Sequence, residues 1–140
     1  MRHETGFRVE AVSLVRLAGL AQGTRVATPG GEVPVERLVR GDRVATKAGP
    51  LRMIVAEARS ARVAPVRIAP GALGGGLPAR EMVVGPATRV WVKGQTKPYE
   101  ARLLVDGRDV TFDEARPMMV WTLVFPTPQV VRAEGVEVCV

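Results

Sequence analysis

Gly23-Thr24-Arg25-Val26-Ala27-Thr28-Pro29-Gly30-Gly31-Glu32-Val33-Pro34-Val35 is the stretch that decides the fold class. Thr24 to Thr28 reads as a strand, with β-branched side chains at every second position, the period of two that turns one face of a strand inward. Pro29-Gly30-Gly31 is a turn cluster, since proline presets a turn dihedral and glycine accepts the positive φ of a tight reversal. Glu32 to Val35 resumes the strand. Pro34 has no N–H to give a ladder, so it marks an edge or a strand end. The stretch therefore reads as a β-hairpin.

Outward from the hairpin the same grammar repeats. Val35-Glu36-Arg37-Leu38 is long enough for one helical turn. Arg40-Gly41-Asp42 reverses the chain, Arg43-Val44-Ala45-Thr46 is a strand, and Lys47-Ala48-Gly49-Pro50 is a turn. Leu51 to Val63 suits one long strand or two with a bend. Pro65 to Ile68 is a strand entering the Gly-rich loop from Ala69 to Leu77. Glu81 to Val84 and Thr88 to Val92 are strands separated by Gly85-Pro86. Tyr99 to Val105 fits either strand or helix. Val110 to Phe112, Met118 to Val124 and Val130 to Val138 are further strands. About ten short strands with frequent turns predict an all-β sandwich or barrel. No internal repeat and no linker is expected. Residues 1–18 form an N-terminal arm or edge strand, and 19–140 form the domain. Pairings between distant segments predict slow folding.

Composition narrows the function classes. The chain has 140 residues, of which 46% are hydrophobic, enough for a core without disulfides or metals. Twenty Lys and Arg against 14 Asp and Glu give a net charge of +6. The arginines are scattered, which favours a general compositional bias over a nucleic-acid surface. Nucleic acid stays an alternative partner, through Arg25, Arg37, Arg40 and Arg43. The single cysteine, Cys139, allows no internal disulfide, and His3 is the only histidine. A His/Cys metal site is not expected, and no cofactor or metal is assigned. No glycine pattern of a phosphate-binding loop occurs. Asp106, Asp109, Asp113 and Glu114 read as a solvated acidic face with the wrong spacing for a calcium loop. Trp91 and Trp121 lie in apolar runs and are expected in the core. No apolar run is long enough to span a membrane. The stretch Ala11–Ala21, broken by Arg16, does not read as a signal peptide, so a cytoplasmic location is the default.

Five blocks in order carry a resemblance to a known family. They are Ala18 to Leu38 with Arg40 to Thr46, Pro65 to Arg80, the segment around Gly85-Pro86-Ala87-Thr88-Arg89-Val90, Ala101 to Gly107, and Leu123 through Gly135. Together they resemble the Hint (hedgehog/intein) domain family in its bacterial form. The resemblance covers about residues 19–138 and implies a horseshoe-like, all-β fold.

It also implies a chemistry. In such domains an N-terminal Cys or Ser attacks the preceding carbonyl, a histidine protonates the leaving amide nitrogen, and donors stabilise the oxyanion. Here the nucleophile position is Gly19. The Thr/Ser-x-x-His motif reads Gly85-Pro86-Ala87-Thr88, with Thr88 at the histidine position. The late polar motif is replaced by Thr122, Pro126 and Pro128. Ser13, Thr24 and Thr88 offer hydroxyls without a base, and an unactivated hydroxyl is a poor nucleophile. Cys139 reads as an ordinary strand cysteine. The expectation is therefore no catalytic residue. The domain is read as a catalytically inactive Hint-like module, a pseudoenzyme that binds a protein partner or forms a homo-oligomer. Residual autoprocessing and nucleic-acid binding are the alternatives. The alternating run from Val130 to Val140 is the candidate strand edge for a partner.

Overall fold

The computed structural model describes residues 16–140. The strands in chain order begin with β1 (Leu20–Ala21), β2 (Arg25–Thr28), β3 (Gly31–Pro34), β4 (Arg43–Thr46) and β5 (Gly49–Arg52). They continue with β6 (Val55–Val63), β7 (Val66–Ile68), β8 (Met82–Val84), β9 (Arg89–Val90) and β10 (Tyr99–Glu100). The last are β11 (Val110–Phe112), β12 (Arg116–Val124), β13 (Val130–Ala133) and β14 (Val136–Cys139). Short 3-10 turns cover Val35–Arg37 and Ala101–Leu104. The fold is all-β, as the alternating pattern predicts.

The strands form two sheets. One runs β11-β7-β8-β1-β12-β6, and the other β10-β9-β14-β13-β2-β3, with the β4–β5 hairpin joined to β13 through β4. The main core draws Leu20, Ile68 and Val84 from the first sheet and Val26, Val131 and Val138 from the second. A smaller cluster of Leu17, Val63, Met118 and Val120 lies beneath the β6–β12 pair. Those two strands run antiparallel over nine residues, from Arg116↔Val63 to Val124↔Val55. Leu17 and Ala18, read from sequence as part of the arm, are tied to the domain: the Leu17 carbonyl accepts from Ala87 N–H at 2.9 Å. The rest of the arm reading, residues 1–15, lies outside the described residues.

The hairpin expected over Gly23–Val35 is β2–β3, with Thr28 opposite Gly31 across Pro29-Gly30. Its turn has a twin. In β4–β5, Thr46 stands opposite Gly49 across Lys47-Ala48. In both, the threonine hydroxyl donates to the glycine carbonyl, at 2.5 and 2.6 Å. In both, it also accepts from the second loop N–H, at 3.2 and 3.1 Å. The expectation of no repeat is corrected: Arg-Val-Ala-Thr-x-x-Gly occurs at Arg25–Gly31 and Arg43–Gly49. The repeat is too short to register as periodicity, but it encodes the same device twice.

Other elements resolve ambiguities. Leu51 to Val63 is two strands, parted at Met53-Ile54, where Met53 N–H turns to the Asp42 carbonyl at 2.9 Å. Tyr99 to Val105 is neither a strand nor a helix throughout, but β10 followed by a 3-10 turn. The C-terminal run is not the free edge expected of it. Val138 of β14 is paired on one side with Val131 of β13 and on the other with Val90 of β9. Alternation reports that one face is buried and says nothing of whether both edges are paired.

Candidate functional site

The Ala18–Gly19 peptide bond sits where β1 enters the first sheet. Leu20 pairs with Val84 of β8 on one side and Trp121 of β12 on the other. The loop Gly85-Pro86-Ala87-Thr88, which carries the chain from β8 to β9, folds back over this entry. Gly85 N–H donates to the Gly19 carbonyl at 3.0 Å, and Thr88 N–H donates to the Gly85 carbonyl at 3.1 Å. The loop is held from behind by Ala101 N–H on the Thr88 carbonyl at 2.8 Å and Arg102 N–H on the Pro86 carbonyl at 3.0 Å.

Two positions picked from sequence, Gly19 and Thr88, meet here. Gly19 N–H donates to Thr88 Oγ1 at 2.9 Å, and that hydroxyl donates to the Gly19 carbonyl at 3.1 Å. Thr88 is 3% exposed. The residue at the histidine position thus contacts the amide nitrogen that a general acid would protonate. A threonine hydroxyl there satisfies the N–H but is far too weak an acid to supply a proton near neutral pH. The third position, Thr122 on β12, donates to the Ala18 carbonyl at 3.3 Å, the carbonyl a nucleophile would attack. Pro126 and Pro128 are exposed beyond the end of β12 and offer no N–H donor.

Gly19 shows a feature the sequence did not reveal. Its φ is +147°, and a Cβ placed there would lie 2.8 Å from Val120 Cβ and 2.9 Å from Val120 Cγ2. Both are closer than packed carbons approach, and Val120 is fully buried. The position lacks a nucleophile and also lacks room for any side chain. Gly85 is similarly pressed, with its would-be Cβ 2.5 Å from the Leu17 carbonyl oxygen.

A second polar centre, which the sequence reading missed, surrounds Glu134. Glu134 is 2% exposed and holds φ +49° in the two-residue loop between β13 and β14. Its carboxylate accepts from Arg80 Nε at 3.0 Å, Arg80 Nη2 at 2.7 Å and Arg25 N–H at 2.9 Å. Burial pushes this carboxyl up, but the hydrogen bonds from Arg80 and Arg25 outweigh it and leave the group below the ordinary carboxylate range. The signal was present: Glu-Gly stands where tight hairpins take Asn-Gly or Asp-Gly. The side chain there ties three distant segments together.

The other sequence candidates lie away from this bond. Asp106 accepts from the N–H groups of Arg108, Asp109 and Val110, and the bonds from Val110 and Arg108 hold its carboxyl below the usual range. Asp113 pairs with Arg67 and Arg116, and the Arg67 guanidinium lowers it while raising its own value. These acids therefore serve a turn and an ion-pair network rather than a shared site. Thr24 is buried at the start of β2, with its N–H on the Ala21 carbonyl. Arg25, Arg37, Arg40 and Arg43 are exposed and, among the described residues, join no ion pair. Trp121 packs against the main core. Trp91 is half-buried, with Lys47 Nζ 5.2 Å from its ring centroid, and it lines a shallow cleft. Cys139 is half-buried opposite Val130. His3 and Ser13 lie outside the described residues. No helix among the described residues is long and apolar enough to cross a membrane.

Comparison with known proteins points one way. The family model described as the Hint domain matches residues 18–138. No curated protein matches the sequence significantly. Among solved structures the chain is similar to the gp41-1 intein, at TM-score 0.60 and 13% identity over 86% of this chain and 97% of that one. It is similar to the bacterial intein-like domain from Clostridium thermocellum, at TM-score 0.60 and 18% identity over 89% and 97%. It is also similar to the MchDnaB-1 intein, at TM-score 0.55 and 18% identity over 85% and 98%. At these identities the likeness is one of fold.

Proposed function

The chain belongs to the Hint domain family, and on that premise we propose that it is a Hint-like domain without self-cleaving chemistry that serves as a protein-binding or assembly module. The observation that carries this reading is the crowding at Gly19. Self-cleavage needs a nucleophilic side chain on the residue after the scissile bond, and a Cβ at Gly19 would meet Val120 at 2.8 Å. The Thr88 position supports the same reading, because its hydroxyl holds the Gly19 amide as a neutral clamp and is no proton donor near neutral pH. Thr122 donates to the Ala18 carbonyl, a contact that would serve a developing oxyanion as well, so the reading rests on the missing nucleophile and the missing acid.

A fold kept without its reaction keeps its surface. The sheets present open strand edges, which are sites for another chain to pair. Size-exclusion chromatography with light scattering, run with the native chain at its working concentration, tests the assembly reading. The expected result is a complex, with itself or with a co-purifying protein. A strict monomer without any partner removes the reading.

The nucleic-acid alternative keeps one supporting observation, the four exposed arginines outside any described ion pair. It predicts an affinity that falls steeply with salt. No binding to duplex or single strands in a low-salt titration disposes of it.

A further inference from the structure

We propose that the domain pairs with a second copy of itself through the outer edge of β6, extending the first sheet across a twofold axis at Ala58. The proposal deepens the assembly reading and rests on it. Strand β6 ends its sheet, and among the described residues only β12 pairs with it. Among the described residues it is the longest open edge, running nine residues from Val55 to Val63 with neither glycine nor proline to bend or block it. Natural edges are protected by shortening, bulges, proline or charged side chains; of these β6 has only the charges, Glu57, Arg59 and Arg62. The other end of the same sheet is β11, only three residues long.

Charge fixes the partner and the register. Glu57 and Arg59 project from the same face of β6, at alternate positions, both exposed and with Arg59 Nε 3.7 Å from Glu57 Oε1, a loose surface pair that leaves each free to meet a further opposite charge. When two copies of a strand pair antiparallel about a twofold axis, some residue must face its own copy. With Ala58 at that point, Glu57 faces the second copy's Arg59 and Arg59 faces its Glu57. Two opposite-charge pairs form, a favoured cross-strand combination. The neighbouring symmetric registers set Glu57 against Glu57 or Arg59 against Arg59. No other symmetric register within the strand brings opposite charges face to face. The strand is thus self-complementary in one register and self-repelling in the two beside it.

The opposite face agrees. Ala56, Ala58 and Ser60 lie there, small enough for close approach, and β12 places Trp121 beside Ala58 and Met119 beside Ser60. Met119 is 50% exposed. Pairing at Ala58 makes a continuous apolar row of Trp121, Ala58 and their two copies. Because the same edge is used by both molecules, the contact closes at two and does not propagate into a fibre.

The test is sedimentation equilibrium of the full chain with two charge reversals, Glu57→Arg and Arg59→Glu. Both sites are exposed, so both variants are expected to fold. The wild-type chain is expected to dimerise. Each variant alone is expected to weaken the dimer by about tenfold or more, because two attractive pairs become two repulsive ones. An equimolar mixture of the two variants is expected to regain a dimer, since the two basic side chains of one variant then face the two acidic side chains of the other. A wild-type monomer overturns the proposal. A dimer indifferent to both reversals also overturns it. In both cases the assembly reading survives if a different surface or partner accounts for the complex, and falls only if none is found.

Discussion

Residue by residue, the site is built of groups that hold a peptide bond in place. Gly19 combines φ +147° with a would-be Cβ 2.8 Å from buried Val120, so Gly19→Ala adds both backbone strain and overpacking. The expected loss is about 2–4 kcal/mol in urea unfolding. Gly19→Cys is expected to destabilise likewise rather than to install a working nucleophile. Thr88→Val keeps the shape but leaves the buried Gly19 N–H without its acceptor, and is expected to cost about 1–3 kcal/mol. Glu134 gives a pH signature. Its folded carboxyl is lowered, as is that of Asp113, so the stability they contribute is present above the unfolded carboxylate values near ~4 and lost as pH falls through the folded ones. Glu134→Gln is expected to flatten the acid limb of stability against pH. An unchanged limb would mean that the Arg80–Glu134 pair contributes nothing. The sequence identified Gly19 and Thr88 through the family pattern. It did not show the crowding, because Val120 reaches Gly19 only after β1 and β12 pair across more than half of the chain.

At the scale of the element, what was legible was local. The β2–β3 turn could be read from Pro29-Gly30-Gly31, and the 3-10 turn at Val35–Arg37 from its length, because each is decided by neighbours in sequence. The Thr28 and Thr46 hydroxyls each bridge the two ends of a hairpin. Thr28→Ala and Thr46→Ala are each expected to cost about 0.5–1.5 kcal/mol, with the half-exposed Thr28 nearer the low end. Equal and negligible losses in thermal unfolding would show the two devices to be ornamental. What was not legible was pairing. The run Val130–Val140 alternates like an edge strand, yet β14 is enclosed by β13 and by β9, a strand far away in sequence. Conversely, β6 reads as part of an ordinary long strand, and its open side emerges only from the order of the whole sheet. Strand edges are decided by partners that a local pattern does not name.

Across the whole molecule, the fold and its chemistry separate. The all-β architecture follows from turns and alternation repeated along the chain, and the family's five blocks run through it in order. The polar groups on the Ala18–Gly19 bond come from two places, the 85–88 loop and β12, brought together where β1 pairs with β8 and β12. We read the scaffold as the geometry of a cleavage site whose residues hold the peptide without the nucleophile and acid that would break it. The measurement that tests this most directly is the intact mass of the freshly purified 140-residue chain, followed over days with and without dithiothreitol and hydroxylamine. A constant mass under all conditions is the predicted result. A fragment with its N-terminus at Gly19, forming faster when the added nucleophile is present, would contradict it.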